Sequence, residues 1–239
     1  MTNSPRWLPQ VFVVLASLSS ALGTPALAQS NSPAAVIHGI DASVAFRDQN
    51  IASYTVTEHY KVFRNQKRDV PAAEMTVKTS YERDKGKSFS ILNETGSELL
   101  RSEVLGRVLD NERILTQPAN RTAALIDSNN YIMTVKGDDL VEGRTCVVLA
   151  IVPRRNSPYL FNGDVWVDAR DDSIVKFAGT ASRSPSMLTG PATVTRRYSK
   201  IDGFPMATRA SATSNSWLLG QTTIEIEYSG YDIKLRPAQ

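Results

Sequence analysis

Histidine and cysteine, the side chains that most often act as base, nucleophile or metal ligand, are scarce in this chain of 239 residues. It contains two histidines, His38 and His59, and one cysteine, Cys146. Neither histidine lies near a serine or cysteine in a recognisable nucleophile motif, and G-x-S-x-G does not occur. The spacings H-E-x-x-H and C-x-x-C, which would hold zinc, are also missing. We therefore predict no enzyme activity, no cofactor and no metal site.

Three aspartates in one short stretch, Asp168, Asp171 and Asp172, offer the oxygen ligands that a cation such as Ca²⁺ prefers. The stretch is GDVWVDARDDSIVKF, from Gly163 to Phe177, in which alternating residues on each side flank a polar centre. Asp is favoured in turns because its side chain hydrogen-bonds to nearby backbone N–H groups. We therefore interpret these carboxylates as part of a hairpin turn rather than as a cation site.

Glu58 is a charged residue on an otherwise apolar strand face. That face also carries Tyr54, Val56, Tyr60 and Val62, and His59 points to the opposite face, so the two side chains do not act together. A buried carboxylate without a partner is costly. Either this face is open to water, or an arginine pairs with Glu58, or the carboxylate contacts a ligand head group at a cavity mouth. The first two explanations are favoured.

Hairpins fill the far half of the chain and position these residues. The first is the Gly163 to Phe177 stretch, and the second joins TVTRRYSKI to MATRAS through Asp202-Gly203-Phe204-Pro205. A further strand, TTIEIEYSG, alternates apolar and acidic residues. This pattern is typical of an antiparallel meander with one apolar and one wetted face.

The near half of the chain combines two helices with further strands. Ser32 and Pro33 begin the first helix, and from Ile51 the apolar period changes to two, which predicts three strands. Ser97 begins a second helix, whose apolar stripe consists of Leu100, Val104 and Val108, flanked by Leu105 and Leu109, and ends before Pro118. The segment CVVLAIV, from Cys146 to Val152, is apolar on both faces and predicts a strand through the centre of the sheet.

The N-terminal residues predict export. An apolar run from Val11 to Leu22 follows Arg6 and precedes Ala26-Leu27-Ala28, which is typical of a signal peptide over residues 1–28. The run is too short for a spanning helix, which needs about 20 residues. Because Cys146 lies far from this junction, the protein is not itself expected to be a lipoprotein. We expect a soluble periplasmic protein with one domain over residues 29–239.

Charge and cysteine content exclude several classes of protein. The chain has 27 basic and 24 acidic residues, and its basic pairs are scattered without aromatic residues between them, which argues against nucleic-acid binding. A single cysteine forms no internal disulfide, so stability must come from a hydrophobic core. We expect a monomer.

The order of elements resembles that of the LolA-like family of periplasmic lipoprotein and lipid carriers. The resemblance rests on a leading helix, the strand YTVTEHYKVFR, a helix in mid-chain, and the hairpins GDVWVDARDDSIVKF and RRYSKIDGFPMAT. It implies an α+β fold: a strongly curved antiparallel sheet of about eleven strands forming an unclosed half-barrel, with helices covering its concave face. It also implies an apolar cavity for acyl chains and a strand arginine that holds the helical lid, for which Arg64 and Arg83 are candidates.

Two functions follow from this resemblance. The first is a carrier that binds lipid or the acyl chains of a lipidated protein, together with an inner- or outer-membrane protein partner. The second is a periplasmic sensor or interaction module of the same fold, similar to RseB, that acts through protein contacts. The candidate cavity-lining residues are the apolar positions of the strands: Tyr54, Val56, Tyr60, Val77, Tyr81, Val165, Val167, Phe177, Ile224, Ile226 and Tyr228. For any single one of them, packing in a dry core is the favoured interpretation, because every half-buried sheet shows apolar alternation.

Overall fold

The computed structural model describes residues 32–65, 67–183, 190–216 and 220–237. The predicted signal peptide and its cleavage site lie outside these residues. The described chain begins with helix α1 (Pro33–Asn50), whose N-cap Ser32 accepts a hydrogen bond from the backbone N–H of Ala35 at 3.3 Å. Pro33 occupies the first helical position, where a missing N–H costs nothing. The predicted first helix is confirmed.

A single antiparallel sheet of ten strands forms the body of the described chain. The strands are β1 (Ile51–Arg64), β2 (Ala73–Glu82), β3 (Gly86–Gly96), β4 (Tyr131–Val141), β5 (Arg144–Pro153), β6 (Phe161–Asp168), β7 (Ile174–Ala181), β8 (Thr193–Ile201), β9 (Phe204–Ser216) and β10 (Gly220–Leu235). Their order across the sheet is β3-β2-β1-β10-β9-β8-β7-β6-β5-β4. Strands β3 and β4 are edges that do not pair with each other, so the sheet is the predicted unclosed half-barrel. The described residues hold ten strands rather than about eleven.

The second helical segment contains a π-helical turn that the sequence did not reveal. Helix α2 (Glu98–Leu100) continues through a π-helical turn, Arg101–Gly106, into helix α3 (Arg107–Thr116). The predicted stripe has Val104 and Val108 at its centre. The structure instead buries Leu100, Leu105 and Leu109, because the extra residue of a π-turn rotates the following side chains around the helix axis. The wider apolar stripe is therefore present, but shifted by one position.

Both helical segments lie on the same face of the sheet and divide it between them. Val36 and Ile40 of α1 pack with a cluster of buried residues from β4 to β7, including Leu149 and Val165. The side chains of Leu100, Leu105 and Leu109 pack on a second cluster from β1, β2, β9 and β10. Each helical segment buries its apolar stripe on the sheet, which is the main source of stability for a helix of this length.

The position of β5 in the sheet differs from the prediction. The segment CVVLAIV lies in β5, which is second from the edge and not central. Leu149 and Ile151 are buried under the helices, whereas Cys146 packs on the other face with Val141 and Val175. The double-sided apolar pattern therefore reflects a small cluster on the outer face rather than a central position.

The loop after α3 ties α1 to the sheet. It contains a short 3₁₀-helix, Arg121–Ala124. Asp41 of α1 accepts hydrogen bonds from the Ser128 backbone N–H at 2.8 Å and from its hydroxyl at 2.6 Å. Among the described residues, no helix combines the length and the apolar character that crossing a membrane requires.

Candidate functional site

A cavity of about 310 Å³ lies between the helices and the sheet. Helix α1 contributes Ser43, Val44 and Arg47, α3 contributes Glu112 and Leu115, and the loop after α3 contributes Ala124, Leu125 and Ile126. The sheet closes the other side with residues from eight of the described strands, from β1 to β10. This volume is at the lower end of the range of about 300–1,000 Å³ that is typical of small-molecule sites.

One end of the cavity is aromatic and aliphatic. Tyr131, Tyr159, Phe161, Phe177 and Val194 line it from β4, the β5–β6 loop, β6, β7 and β8. The rings of Phe161 and Phe177 meet edge to face with centroids 5.4 Å apart, which is a favoured aromatic geometry. Apolar walls of this kind suit hydrocarbon and offer few hydrogen bonds.

The other end of the cavity is charged. The Lys87 ammonium group lies 2.9 Å from Glu112 Oε2 and 3.6 Å from Glu58 Oε1. The Arg196 guanidinium group donates to Glu112 Oε1 at 3.2 Å. The Tyr60 hydroxyl donates to Glu58. These contacts form one continuous chain of charges, in which Glu112 of α3 binds to cations of β3 and β8.

Strand register explains why these charges face the helices. Glu58 pairs across the sheet with Val77 and Tyr228, and Lys87 pairs with Tyr81. Directly opposed residues of neighbouring strands point to the same face. In the same way Arg196 is opposite Phe177. All three charged side chains therefore occupy inward positions on otherwise apolar rows.

The pKa shifts at this end of the cavity keep Glu112 and Lys87 ionised. Burial alone would raise the pKa of the Glu112 carboxyl group, but Lys87 and Arg196 outweigh burial and lower it to about 2. Burial would lower the pKa of Lys87, yet Glu112, Tyr54 and Glu58 raise it well above its usual value. Burial raises the pKa of Tyr228, so its hydroxyl stays protonated at neutral pH. Glu112 is thus an anion and Lys87 a cation across the physiological range.

The surroundings of Glu58 match neither of the two favoured explanations. Its side chain is 1% exposed, so this face is not open to water, and its cationic partner is Lys87 rather than an arginine. The carboxylate also lines the cavity, as the third explanation required. A buried carboxylate with a lysine and a tyrosine as partners avoids most of the cost of isolation.

A second cavity of about 210 Å³ adjoins the charged end and shares Arg47, Lys87, Glu112 and Arg196 with the first. Its far wall includes Asp48 of α1, whose Oδ1 lies 2.9 Å from Arg121 Nε. Arg83, in the turn after β2, donates to the Asp48 backbone oxygen and to Oδ2 at 3.4 Å. Of the two candidate arginines, Arg83 thus contacts the end of α1, and Arg64 is the last residue of β1.

The residues predicted to line a cavity fall into two groups. Tyr54, Phe177 and Tyr228 line the first cavity, and Tyr54 and Tyr81 line the second. The others are buried in the clusters beneath the helices: Val56, Tyr60, Val77, Val165, Val167, Ile224 and Ile226. For all eleven residues, contact with a ligand remains a prediction.

The sequence analysis did not identify Lys87, Arg196 and Glu112 as site residues, although the sequence pattern around Lys87 and Arg196 is unusual. Lys87 shares an alternating row with Phe89 and Ile91, and Arg196 shares one with Val194 and Tyr198. Each is a charge on an otherwise apolar row, as is Glu58. Glu112 lies on α3, where sequence periodicity alone does not distinguish a residue at the rim of the apolar stripe from an exposed one.

The residues with catalytic potential are separated in space. His38 is exposed on α1, and His59 lies on the outer face of β1, where its ring nitrogens contact Thr76 Oγ1 at 2.8 Å and Glu74 Oε2 at 3.0 Å. Asp168 accepts hydrogen bonds from the backbone and side chain of Arg170, as a turn residue would. Among the described residues, no three His, Cys, Asp or Glu side chains are grouped as metal ligands would be.

The chain is similar in part to several solved structures. No family model and no curated protein sequence matches the chain. Solved structures with a similar fold include a LolA superfamily protein from Nitrosomonas europaea, which is 13% identical, with a TM-score of 0.48 over 84% of this chain and 94% of that chain. A DUF1329 family protein from Desulfovibrio piger is 15% identical, with a TM-score of 0.43 over 83% of this chain and 93% of that chain.

A third solved structure comes from Vibrio parahaemolyticus and is described as an outer membrane lipoprotein-sorting protein domain. It is 15% identical, with a TM-score of 0.41 over 82% of this chain and 91% of that chain. At these identities and scores, the likenesses say nothing about what this chain binds. The described residues form an open ten-stranded half-barrel with helices on one face, and in this architecture the chain is similar to solved structures of the LolA superfamily.

Proposed function

We propose that this protein is a periplasmic carrier that binds lipid, or the acyl chains of a lipidated protein, in the cavity between its helices and its sheet. The observation that carries the proposal is the apolar end of that cavity, with its wall of Tyr131, Phe161, Phe177 and Val194. Hydrocarbon transferred from water to such a wall gains about 0.8 kcal/mol per methylene group. A carrier must offer such a surface, because an acyl chain otherwise stays in the membrane.

The arrangement of the helices supports carriage rather than permanent burial. Helices α1 and α3 both contribute to the cavity wall. Ion pairs join Glu112 of α3 to Lys87 of β3, and Asp48 of α1 to Arg83 in the turn after β2. Ion pairs and hydrogen bonds at a helix edge break without exposing a large apolar surface. An outward movement limited to the last turns of α1 and α3, near Arg47 and Glu112, would admit an acyl chain and leave Ile40 and Leu105 packed in their clusters.

The proposal is tested with protein expressed from the full-length gene and purified from the periplasm. We expect native mass spectrometry to detect co-purifying lipid, and a fluorescent fatty-acid probe to bind to the delipidated protein saturably. An unlabelled fatty acid or a peptide that carries one acyl chain should displace that probe. Folded protein that takes up no probe and carries no lipid would contradict the proposal.

A matched pair of substitutions tests whether the probe binds in the cavity or elsewhere on the sheet. Ala207 on β9 lines the cavity, and the next residue, Thr208, does not. A tryptophan at Ala207 should fill part of the 310 Å³ and lower probe affinity at least tenfold, because overlapping volumes exclude each other. Thr208→Trp should leave probe affinity unchanged. Circular dichroism and urea unfolding establish that both variants fold.

An alternative function, a sensor that acts through protein contacts, has one observation in its favour. The edge strand β3 exposes Ile91 and Leu92, and Leu99 is exposed just before the π-turn. Exposed apolar side chains at a sheet edge are suited to protein contacts. Recovery of a specific partner by crosslinking at Leu92, with no lipid uptake by the same preparation, would favour the sensor.

A further inference from the structure

We propose that the cargo is an anionic, single-chain amphiphile whose carboxylate or phosphate group binds at the charged end of the cavity, beside Arg47. This inference rests on the proposed lipid-binding function and specifies the class of ligand. The acyl chain would occupy the aromatic end, and the head group would lie at the junction of the two cavities.

The walls around the junction carry more positive than negative charge, which favours an anionic ligand. Glu112 pairs with Lys87 and Arg196, and Glu58 pairs with Lys87, so these two anions match two cations. Arg47 lines both cavities but forms no ion pair with any described residue. In the second cavity, Asp48 and Arg121 form an ion pair, so their charges also cancel. The cavity walls therefore carry one cation in excess.

Hydrogen bonding points to the same place. The Nε atoms of Arg47 and Arg196 are buried and have no hydrogen-bond partner among the described residues. A buried donor without an acceptor costs free energy, and proteins rarely leave one unsatisfied without a functional reason. Guanidinium groups prefer carboxylate and phosphate oxygens as acceptors. Two such donors in one cavity wall fit a ligand with an oxyanion.

Neighbouring hydroxyl groups complete a polar environment. Tyr54 and Tyr228 line the cavity beside the cations, and both hydroxyls remain protonated because burial raises their pKa values. Arg47 and Lys87 both exert a charge effect on Tyr54, which places the two cations within electrostatic reach of one hydroxyl. An oxyanion there would meet several donors, whereas a second acidic group would meet Glu112 and Glu58.

The size and polarity of the space limit the ligand further. The aromatic residues Tyr159, Phe161 and Phe177 line only the first cavity, whereas the cations line both. Charge and hydrocarbon surface are thus separated along the cavity, as they are in an amphiphile. A volume of about 310 Å³ accommodates one chain better than the two or three chains of a phospholipid or a bacterial lipoprotein.

The test compares two ligands with the same chain and different head groups. Palmitate and 1-hexadecanol, both below their aggregation limits, are titrated against the fluorescent probe on delipidated protein. We expect palmitate to bind at least about tenfold more tightly, because hydrogen bonds to charged groups are the strong ones. Arg47→Gln should remove that preference, so that palmitate and hexadecanol bind to the variant with similar affinities.

Two controls make the result specific. Arg107→Gln removes an exposed arginine of α3 whose partner is Glu103, and it should change neither affinity. Acetate and inorganic phosphate, added alone at millimolar concentration, should not displace the probe if the chain is required. Displacement by either small anion would show an anion site without lipid specificity and would overturn the inference.

The outcomes separate this inference from the function on which it rests. Equal binding of palmitate and hexadecanol, with no effect of Arg47→Gln, would overturn the anionic head group but leave the lipid carrier in place. If neither ligand binds to folded protein, both the carrier and the inference are wrong. A palmitate preference that persists in Arg47→Gln would place the head group elsewhere and would also overturn the inference.

Discussion

Glu112 is the residue on which the charged end of the cavity depends, because its carboxylate contacts both Lys87 and Arg196. Removing one partner from a buried ion pair leaves the remaining charges without compensation. We therefore predict that Glu112→Gln lowers the free energy of unfolding by about 3 kcal/mol at pH 7. The control Glu103→Gln, on the exposed side of the π-turn, should change it by less than about 1 kcal/mol.

The pH dependence of this stabilisation has a defined sign. Because the pKa of Glu112 is lowered from 4.5 to about 2 in the folded protein, its contribution is complete above pH 4.5 and is lost as the pH falls toward 2. The difference between wild-type protein and Glu112→Gln in urea unfolding should therefore shrink between pH 4.5 and 2. A difference that stays constant over this window would contradict the assigned pKa.

Cys146 offers a second residue-scale prediction, and as the single cysteine it gives a single-site readout. The thiol is buried on the outer face of β5, and burial, followed by the charge of Asp168, raises its pKa. Because the thiolate is the reactive species, we expect a thiol reagent to label native protein slowly and urea-unfolded protein rapidly. Rapid labelling of the native state would refute the buried position of Cys146.

At the scale of elements, the last turn of α1 is held by one carboxylate. Asp48 lies 2.9 Å from Arg121 Nε and 3.4 Å from Arg83 Nη2, so one side chain joins α1 to the turn after β2 and to the 3₁₀-helix. We predict that Asp48→Asn lowers the free energy of unfolding by about 1–3 kcal/mol and speeds amide hydrogen exchange in the last turn of α1.

Asp110 serves as the matched control for that substitution. It lies on the exposed side of α3 and pairs with Arg113 three residues later. Exposed ion pairs of this kind contribute little to stability. Asp110→Asn should therefore leave the free energy of unfolding within about 0.5 kcal/mol of wild type and leave amide exchange in α1 unchanged. Equal effects of the two substitutions would mean that Asp48 does not anchor α1 in solution.

At the scale of the whole molecule, the N-terminal residues predict export of the protein. The apolar run from Val11 to Leu22 and the small residues Ala26 and Ala28 predict removal of residues 1–28 on export. Mass spectrometry of protein recovered from the periplasm should therefore give a chain that begins at or next to Gln29. An intact N-terminus on recovered protein would refute cleavage and would place the cavity close to a membrane.

The sequence alone determined the helices and most of the strands, because strand and helix periods are local properties. Alternation from Ile51 onward, the hairpin around Asp171 and the helix after Ser97 were predicted correctly, since each rests on neighbouring residues. Local pattern failed where a neighbour in space decided the outcome. The apolar residues of the outer-face cluster around Cys146 and Val175 led to the wrong prediction that β5 lies at the centre of the sheet. Because of the π-turn, Leu105 is buried in place of Val104.

Only the tertiary structure decided which inward residues form a core and which line a cavity. Val167 and Phe177 have equivalent positions in the sequence pattern and belong to the same buried cluster, yet of the two only Phe177 lines the cavity. The period of a strand predicts that a side chain points inward, but the elements packed above it decide whether it meets a cavity. The charged end was also beyond sequence analysis, because Glu58, Lys87 and Arg196 come from strands far apart in the chain. Each appeared from sequence as an isolated charge on an apolar row, and folding makes them partners by bringing them to Glu112.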